Sequence, residues 1–205
     1  MYTVSVIPLH KNPFTTDLSY FSKDYYEVGT LVTVPIKNRK TMAMVLSCEP
    51  VSTTKTALRM ASFSLRKLPT QDHISVVPRT LRKLAKQLQT EYPASFGLIL
   101  HSLLPIDIKH GAVTFPEYQE AMSSNIGEVQ LFQAPAQDRY VRYQSIIRST
   151  FAQSGSVVLV VPTAAYVPEV YEKLAQGIEK HAVCLSPHIS KSKRVTAYKK
   201  IYTAP

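Results

Sequence analysis

The first third of the chain alternates apolar and polar residues in short runs that turn residues separate. Residues 2–9 alternate and are rich in β-branched and aromatic side chains, and Pro8 ends this run or places it at a sheet edge. Two more apolar runs, 31–36 and 41–48, lie on either side of a basic turn, and a fourth lies around 58–68. Short strands at this spacing predict a small barrel or sandwich.

The period of the pattern then changes from two residues to between three and four. Residues 81–88 repeat apolar side chains at helical spacing after Pro78, and residues 96–104 form a second apolar helix before Pro105. Further along, helices are predicted at 139–153, 166–180 and 190–202. They alternate with apolar runs at 129–132, 157–161 and 182–185. A continuous run such as 157–161 is typical of a buried parallel strand.

These patterns predict an α+β chain with two parts. The first is a small β-barrel domain with helices at its end, over residues 1–106. A weakly patterned linker follows over 107–127, and residues 128–205 form part of a parallel α/β lobe, since strands and helices alternate there.

The chain is strongly basic, with 24 Lys and Arg against 14 Asp and Glu and a formal net charge of +10. Such a surplus favours polyanions, namely DNA, RNA or an acidic membrane face, although a merely basic soluble protein fits it equally well. Cys48 and Cys184 lie far apart in the chain, so we expect free thiols and a reducing cytoplasm. No apolar run approaches the ~18 residues of a membrane helix, and no signal peptide is expected.

Several features occur in the same order as in a known DNA-binding domain. They are Leu18-Ser19-Tyr20-Phe21, Gly29, the strand 31–35 that ends in Val-Pro, the basic turn 37–40, the helix 84–92, Pro93, Gly97 and the closing 101–105. This order resembles the 3′ DNA-binding domain that opens the primosomal PriA family. The resemblance implies that the β-rich domain is OB-like and that it holds the 3′ end of a DNA strand.

The resemblance also implies which residues contact DNA: Leu18, Ser19, Tyr20, Lys37, Arg39, Lys40 and Arg59. Ser19 stands where the family commonly has aspartate, and Lys37 stands where glycine is usual. Lys37, Arg39 and Lys40 alternatively form a solvated turn or a basic guard on an edge strand. Of the aromatic side chains at 20, 21, 25 and 26, which can stack on unpaired bases, we expect at least two in the core.

The second half resembles a helicase lobe whose phosphate-binding loop is degenerate. A working loop reads G-x-x-x-x-G-K-[ST], whereas the matching stretch runs from Gln133 through Asp138 and Arg139 to Tyr140. Both glycines are missing, Asp138 repels phosphate, and Tyr140 replaces the hydroxyl that would bind Mg²⁺. Arg139 keeps the charge of the lysine in a bulkier group. We therefore expect no ATP binding, no cofactor and no metal.

The sequence thus predicts a DNA-binding protein of replication or replication restart that recognises forked or single-stranded DNA. Other primosome or replication proteins are possible partners, and no membrane is expected. No catalytic constellation is recognisable, so whether the chain is an enzyme stays open, and the degenerate loop favours a binding protein. Two alternatives remain: an ATP-dependent 3′–5′ DNA helicase, and a protein adaptor derived from one.

Overall fold

A computed structural model describes residues 1–12, 16–37, 39–52, 65–69, 75–115 and 127–203. The chain forms two compact units, Met1–Gln119 and Glu120–Pro205, which are treated separately below. The domain boundaries drawn from the sequence, 1–106, 107–127 and 128–205, stay a prediction.

The first unit is built on six strands. They are β1 (Tyr2–Pro8), β2 (Leu18–Ser22), β3 (Thr30–Ile36), β4 (Arg39–Pro50), β5 (Arg66–Lys67) and β6 (Ser75–Val76). The predicted runs 2–9, 31–36 and 41–48 correspond to β1, β3 and β4. Most of the fourth predicted run, 58–68, lies outside the described residues, and its end contains β5.

The strands form one sheet in the order β5-β2-β1-β4-β3-β6. Neighbours are antiparallel except β5, which runs parallel to β2. The sheet is open, so the prediction of a closed barrel was wrong. Among the described residues its two edges, β5 and β6, are two-residue strands that do not pair with each other, and a barrel closes only when its edge strands pair.

Alternation along the strands gives the sheet a hydrophobic inner face, because successive side chains point to opposite sides. The core on this face consists of Val4, Val6, Tyr20, Tyr26, Val32, Val34, Ala43, Val45 and Leu68. Each of these side chains is at most 5% exposed. Fully burying one large apolar side chain contributes about 1.5–3 kcal/mol, so the inner face dominates the stability of the sheet.

Three helices follow the strands: α1 (Arg79–Glu91), α2 (Phe96–Leu103) and α3 (Ile106–Lys109). Ser95 caps α2, because its hydroxyl accepts the backbone N–H of Leu98. Helix α2 packs closely on the end of β1: a Cβ added to Gly97 would lie 2.3 Å from the carbonyl oxygen of Pro8. Only glycine allows this approach, and the approach fixes where α2 lies against β1.

The second unit contains α4 (Ala136–Ala152), a 3₁₀ turn (Ala164–Tyr166), α5 (Val167–Leu174) and α6 (Lys191–Thr203). The predicted strands at 129–132, 157–161 and 182–185 do not form in residues 127–203. Val158 and Val160 are 85% and 87% exposed rather than buried. A parallel strand is stabilised by neighbouring strands, and residues 127–203 contain none. The partial α/β lobe is therefore not confirmed.

Candidate nucleic-acid interface

The basic turn is the tip of a two-residue hairpin. Strands β3 and β4 pair from Leu31 with Met44 up to Ile36 with Arg39, so residues 37 and 38 connect them. Lys37, Arg39 and Lys40 are all exposed. The sequence prediction of a hairpin tip at this position is confirmed, and the pairing places three cations within four residues at one end of the sheet.

Lys37 has a backbone conformation that L residues rarely adopt, with φ +52°. Two-residue hairpins use turns whose first residue has positive φ, because those turns match the right-handed twist of the strands. Glycine tolerates this geometry best, whereas another residue there costs roughly 1–2 kcal/mol. A lysine in this place therefore exchanges some conformational stability for a positive charge at the tip.

Strand β2 divides the three predicted contact residues between two faces. Leu18 packs half-buried against the inner core and Tyr20 is 3% exposed, whereas the intervening Ser19 is exposed on the outer face. The expectation that at least two of the four neighbouring aromatic rings are in the core is confirmed by Tyr20 and Tyr26. Base stacking does not fit Tyr20, since almost none of its ring meets solvent.

A hydrogen bond joins β2 to the base of the hairpin. The phenol of Tyr20 donates to the backbone carbonyl of Pro35 at 3.0 Å. In a flat sheet β2 and β3 would be three strand spacings apart, roughly 14 Å, which is farther than a tyrosine side chain reaches. The sheet is therefore strongly curled, and β2 approaches β3 across the inner face, two residues before Lys37.

Arg66 is a basic residue next to β2 that was not predicted from the sequence as a DNA contact. Edge strand β5 pairs with β2 so that Arg66 lies opposite Tyr20 and Lys67 opposite Phe21, and both cations are exposed. Burial raises the pKa of the Tyr20 phenol, and the nearby Arg66 guanidinium partly lowers it. The strand register thus places Arg66 beside the tyrosine whose phenol bonds the hairpin base.

Arg59, the basic residue chosen from the sequence, lies outside the described residues. The sequence did contain one signal for Arg66, because it directly precedes Lys67 and Leu68 in a predicted strand. Leu68 is in the inner core. Residues two apart on a strand share a face, so Arg66 projects to the same side as Leu68 and Tyr20.

In the second unit the predicted nucleotide loop leads into a helix. Gln133 is exposed before α4, and Asp138 and Arg139 lie in the first turn of that helix. Tyr140 is engaged with α5: the ammonium of Lys173 lies 4.5 Å from its ring centroid. Lys173 also pairs with Glu169 at 2.7 Å, and this hydrogen bond lowers the pKa of the Glu169 carboxyl, with a smaller contribution from Tyr140.

Neither a metal-binding group nor a membrane-spanning helix is found in the described ranges. Nowhere in them do three or more His, Cys, Asp or Glu side chains form a group that could hold a metal ion. Of the helices α1 to α6, none is long and apolar enough to cross a membrane.

Residues 7–105 match the family model described as the 3′DNA-binding domain (3′BD) of PriA. This range contains the end of β1, all of β2 to β6, α1 and α2. The match supports DNA binding by the first unit. A search of curated proteins returned no match to the chain.

Proposed function

We propose that the chain binds forked or single-stranded DNA through the open, curled side of its sheet. The observation that carries the proposal is the bond from Tyr20 to Pro35. Because it draws β2 and β5 toward β3, the charge of Arg66 approaches the hairpin that bears Lys37. Cations from two distant parts of the sequence therefore converge on one region, which a polyanion would neutralise.

The roles of the predicted site residues differ. Lys37, Arg39 and Lys40 provide phosphate contacts from the tip, and Arg66 provides one from the sheet edge in the role first assigned to Arg59. The exposed hydroxyl of Ser19 is free of the core and can hydrogen-bond a strand end or a base edge. Leu18 and Tyr20 shape the site from the core side. We extend this proposal to a role in replication restart, beside other primosome proteins.

Charge reversal at the tip tests the proposal. The triple variant Lys37→Glu, Arg39→Glu, Lys40→Glu is compared with Arg79→Glu, Lys83→Glu, Lys86→Glu, which reverses three exposed charges on α1. Both variants have the same net charge. Binding to a fluorescent forked DNA is measured by anisotropy at several salt concentrations. We expect the tip variant to lose affinity and its salt slope to fall by about 2, since each phosphate contact to a single strand contributes about 0.7.

Equal effects of the two triple variants would refute a specific site at the tip and would leave only general electrostatic attraction. The same assay with a 3′-hydroxyl and a 3′-phosphate end tests recognition of the strand end. A clear preference for the hydroxyl supports an end pocket, and equal affinity supports a general single-strand or fork binder.

We also propose that the second unit of this chain does not bind or hydrolyse ATP. The loop before α4 lacks both glycines, and Tyr140 is occupied by its contacts with Lys173 and Glu169. Measured ATP hydrolysis that DNA stimulates would overturn this proposal and favour the helicase alternative. If the chain binds no DNA at low salt but retains a replication protein in a pull-down, the adaptor alternative takes its place.

A further inference from the structure

Helix α6 carries a second concentration of positive charge, in the second unit of the chain. Between residues 180 and 203 the sequence has six Lys and Arg and no Asp or Glu. The chain as a whole has 14 acidic residues for its 24 basic ones, so the local excess is much larger than the average. A helix of this composition attracts a polyanion. The basic residues that lie in α6 itself are Lys191, Lys193, Arg194, Lys199 and Lys200.

Hydrogen bonds fix one side of α6 to the segment that precedes it. The guanidinium of Arg194 donates to the backbone carbonyl of Ile189 at 3.5 Å. The ammonium of Lys200 donates to the backbone carbonyl of Ala182 at 3.2 Å. Both basic side chains are half-buried. They therefore belong to the inner side of the helix, and their charges serve in part to hold α6 in place.

The outer side of α6 is exposed and polar. Lys193, Thr196 and Lys199 are exposed, and residues three apart are neighbours on the surface of a helix. Ser192 is also exposed and lies one turn before Thr196, whose hydroxyl donates to the Ser192 carbonyl at 3.1 Å. We call Ser192, Lys193, Thr196 and Lys199 the α6 face. Its two lysines lie about 9 Å apart along the axis, since they are six residues apart and a helix rises about 1.5 Å per residue.

The lysines at the beginning of α6 do not stabilise the helix. The first turn of a helix favours Asp and Glu and disfavours cations, because its free N–H groups carry a partial positive charge. The first turn of α6 has no acidic residue and contains Lys191 and Lys193 instead. An anion along the α6 face would offset this repulsion. The basic composition is therefore explained better by a ligand than by the needs of the helix.

The α6 face fits a nucleic-acid backbone better than it fits a membrane. A helix that lies on a membrane buries an apolar face, whereas the α6 face has no apolar side chain among residues 191–202. Ammonium and hydroxyl groups are the donors that contact phosphate oxygens. Tyr198 and Tyr202 are half-buried, and their rings stack on each other with centroids 6.2 Å apart. The face thus offers contacts to phosphates rather than rings for base stacking.

We infer that the α6 face binds the phosphodiester backbone of single-stranded DNA, and that Lys193 and Lys199 each contact one phosphate. The chain then binds DNA through both of its units, by the hairpin tip in the first and by α6 in the second. The inference goes beyond the proposed function, whose DNA contacts all lie in the first unit. Because the contacts are to phosphates, the α6 face has no base preference.

A double variant of the full chain tests the inference. Lys193→Gln with Lys199→Gln removes both charges from the α6 face and preserves the helix, since Lys and Gln are similar helix formers. The matched control, Arg142→Gln with Arg148→Gln, removes two exposed charges from α4 in the same unit. Affinity for a long fluorescent oligothymidine is measured by anisotropy at several salt concentrations. We expect the α6 double variant to lower the salt slope by about 1.4, which is two contacts of about 0.7 each, and the control to leave the slope unchanged.

The outcomes separate this inference from the proposed function. If the α6 double variant keeps the slope of the α4 control while the hairpin triple variant loses affinity, the α6 face is refuted and the proposed function stands. If the hairpin triple variant binds as tightly as its α1 control while the α6 double variant loses affinity, the proposed function fails and the α6 face stands. No binding of oligothymidine by the unchanged chain at low salt would overturn both.

Vesicles of phosphatidylcholine and phosphatidylserine distinguish a nucleic acid from an acidic membrane as the ligand. We expect the α6 double variant and the α4 control to bind these vesicles equally, since the α6 face has no apolar side chain among residues 191–202 to insert. If the α6 double variant alone loses vesicle binding while both variants bind oligothymidine equally, the assignment to DNA is overturned in favour of a membrane surface.

Discussion

Replacement of Lys37 by glycine separates the two consequences of its unusual position. The φ of +52° at Lys37 costs roughly 1–2 kcal/mol for a residue with a Cβ. Glycine removes this cost but adds about 0.5–1 kcal/mol of chain entropy to the unfolded state. We therefore expect Lys37→Gly to raise the free energy of unfolding by about 0.75 kcal/mol, the difference between the midpoints of these two effects. Lys37→Ala keeps the strain, and we expect no such gain.

Both variants remove the same charge, so DNA binding should respond to them equally. We expect the salt slope for single-stranded DNA to fall by about 0.7 in each, because one phosphate contact is lost. Urea denaturation of the two variants gives the difference in stability, and anisotropy gives the slopes. A Lys37→Gly variant no more stable than Lys37→Ala would refute the argument from strain. Slopes that stay at the value of the unchanged chain would refute the phosphate contact.

Three further substitutions address the fold around the interface. Tyr20→Phe removes the donor to Pro35, and we expect urea denaturation to show a loss of about 0.5–1.5 kcal/mol in the free energy of unfolding. An unchanged urea midpoint would mean that this hydrogen bond contributes nothing to stability. Gly97→Ala places a Cβ 2.3 Å from the Pro8 carbonyl oxygen, and we expect this clash to cost about 1–3 kcal/mol and to lower the thermal unfolding temperature by several degrees. Full stability of the variant would contradict the close packing. Burial gives His101 a folded-state pKa below its ordinary value of 6.5, so the unfolded chain binds more protons and stability falls as the pH drops below about 6.5. His101→Gln should weaken this pH dependence of the thermal unfolding temperature between pH 7.5 and 5.5. An identical profile would exclude His101 as the source of the dependence.

The parts of the fold that the sequence predicted are those with a strong local period. Strands β1, β3 and β4 and helix α1 each carry an apolar pattern that is sufficient by itself. Strand β2 was missed, because its alternation of Leu18, Tyr20 and Ser22 with Ser19 and Phe21 stands in a polar and aromatic stretch. Its conformation is determined by the strands on either side, β1 and β5.

The opposite error occurred at residues 157–161. Their continuous apolar character predicted a buried strand, but Val158 and Val160 are exposed. Apolar character shows that a segment gains from burial, whereas burial itself requires neighbours. A parallel strand needs them on both edges and both faces. Within residues 127–203 no strand supplies those edges, so the pattern alone could not decide the outcome.

The candidate site was predictable only in its local part. Three cations in four residues at a hairpin were visible in the sequence, whereas Arg66 depends on a parallel pairing between residues far apart in the chain. The hydrogen bond from the Lys109 ammonium to the His101 carbonyl likewise joins residues of two helices. Contacts of this kind have no period and no spacing rule, since they follow from how the sheet curls and where α2 packs.

The two positions at which the site departs from the resembling family change its charge in the same direction. Serine at 19 in place of aspartate removes a negative charge, and lysine at 37 in place of glycine adds a positive one. A carboxylate would accept a hydrogen bond from a terminal 3′-hydroxyl and would repel a phosphate. Under the proposed function, its absence would weaken the first interaction and relieve the second, while Lys37 would add a phosphate contact at the expense of turn geometry. We therefore expect binding to depend strongly on salt and weakly on whether the 3′ end carries a hydroxyl or a phosphate. If the 3′-hydroxyl is nevertheless strongly preferred, the preference must come from donors and acceptors other than the side chain at position 19.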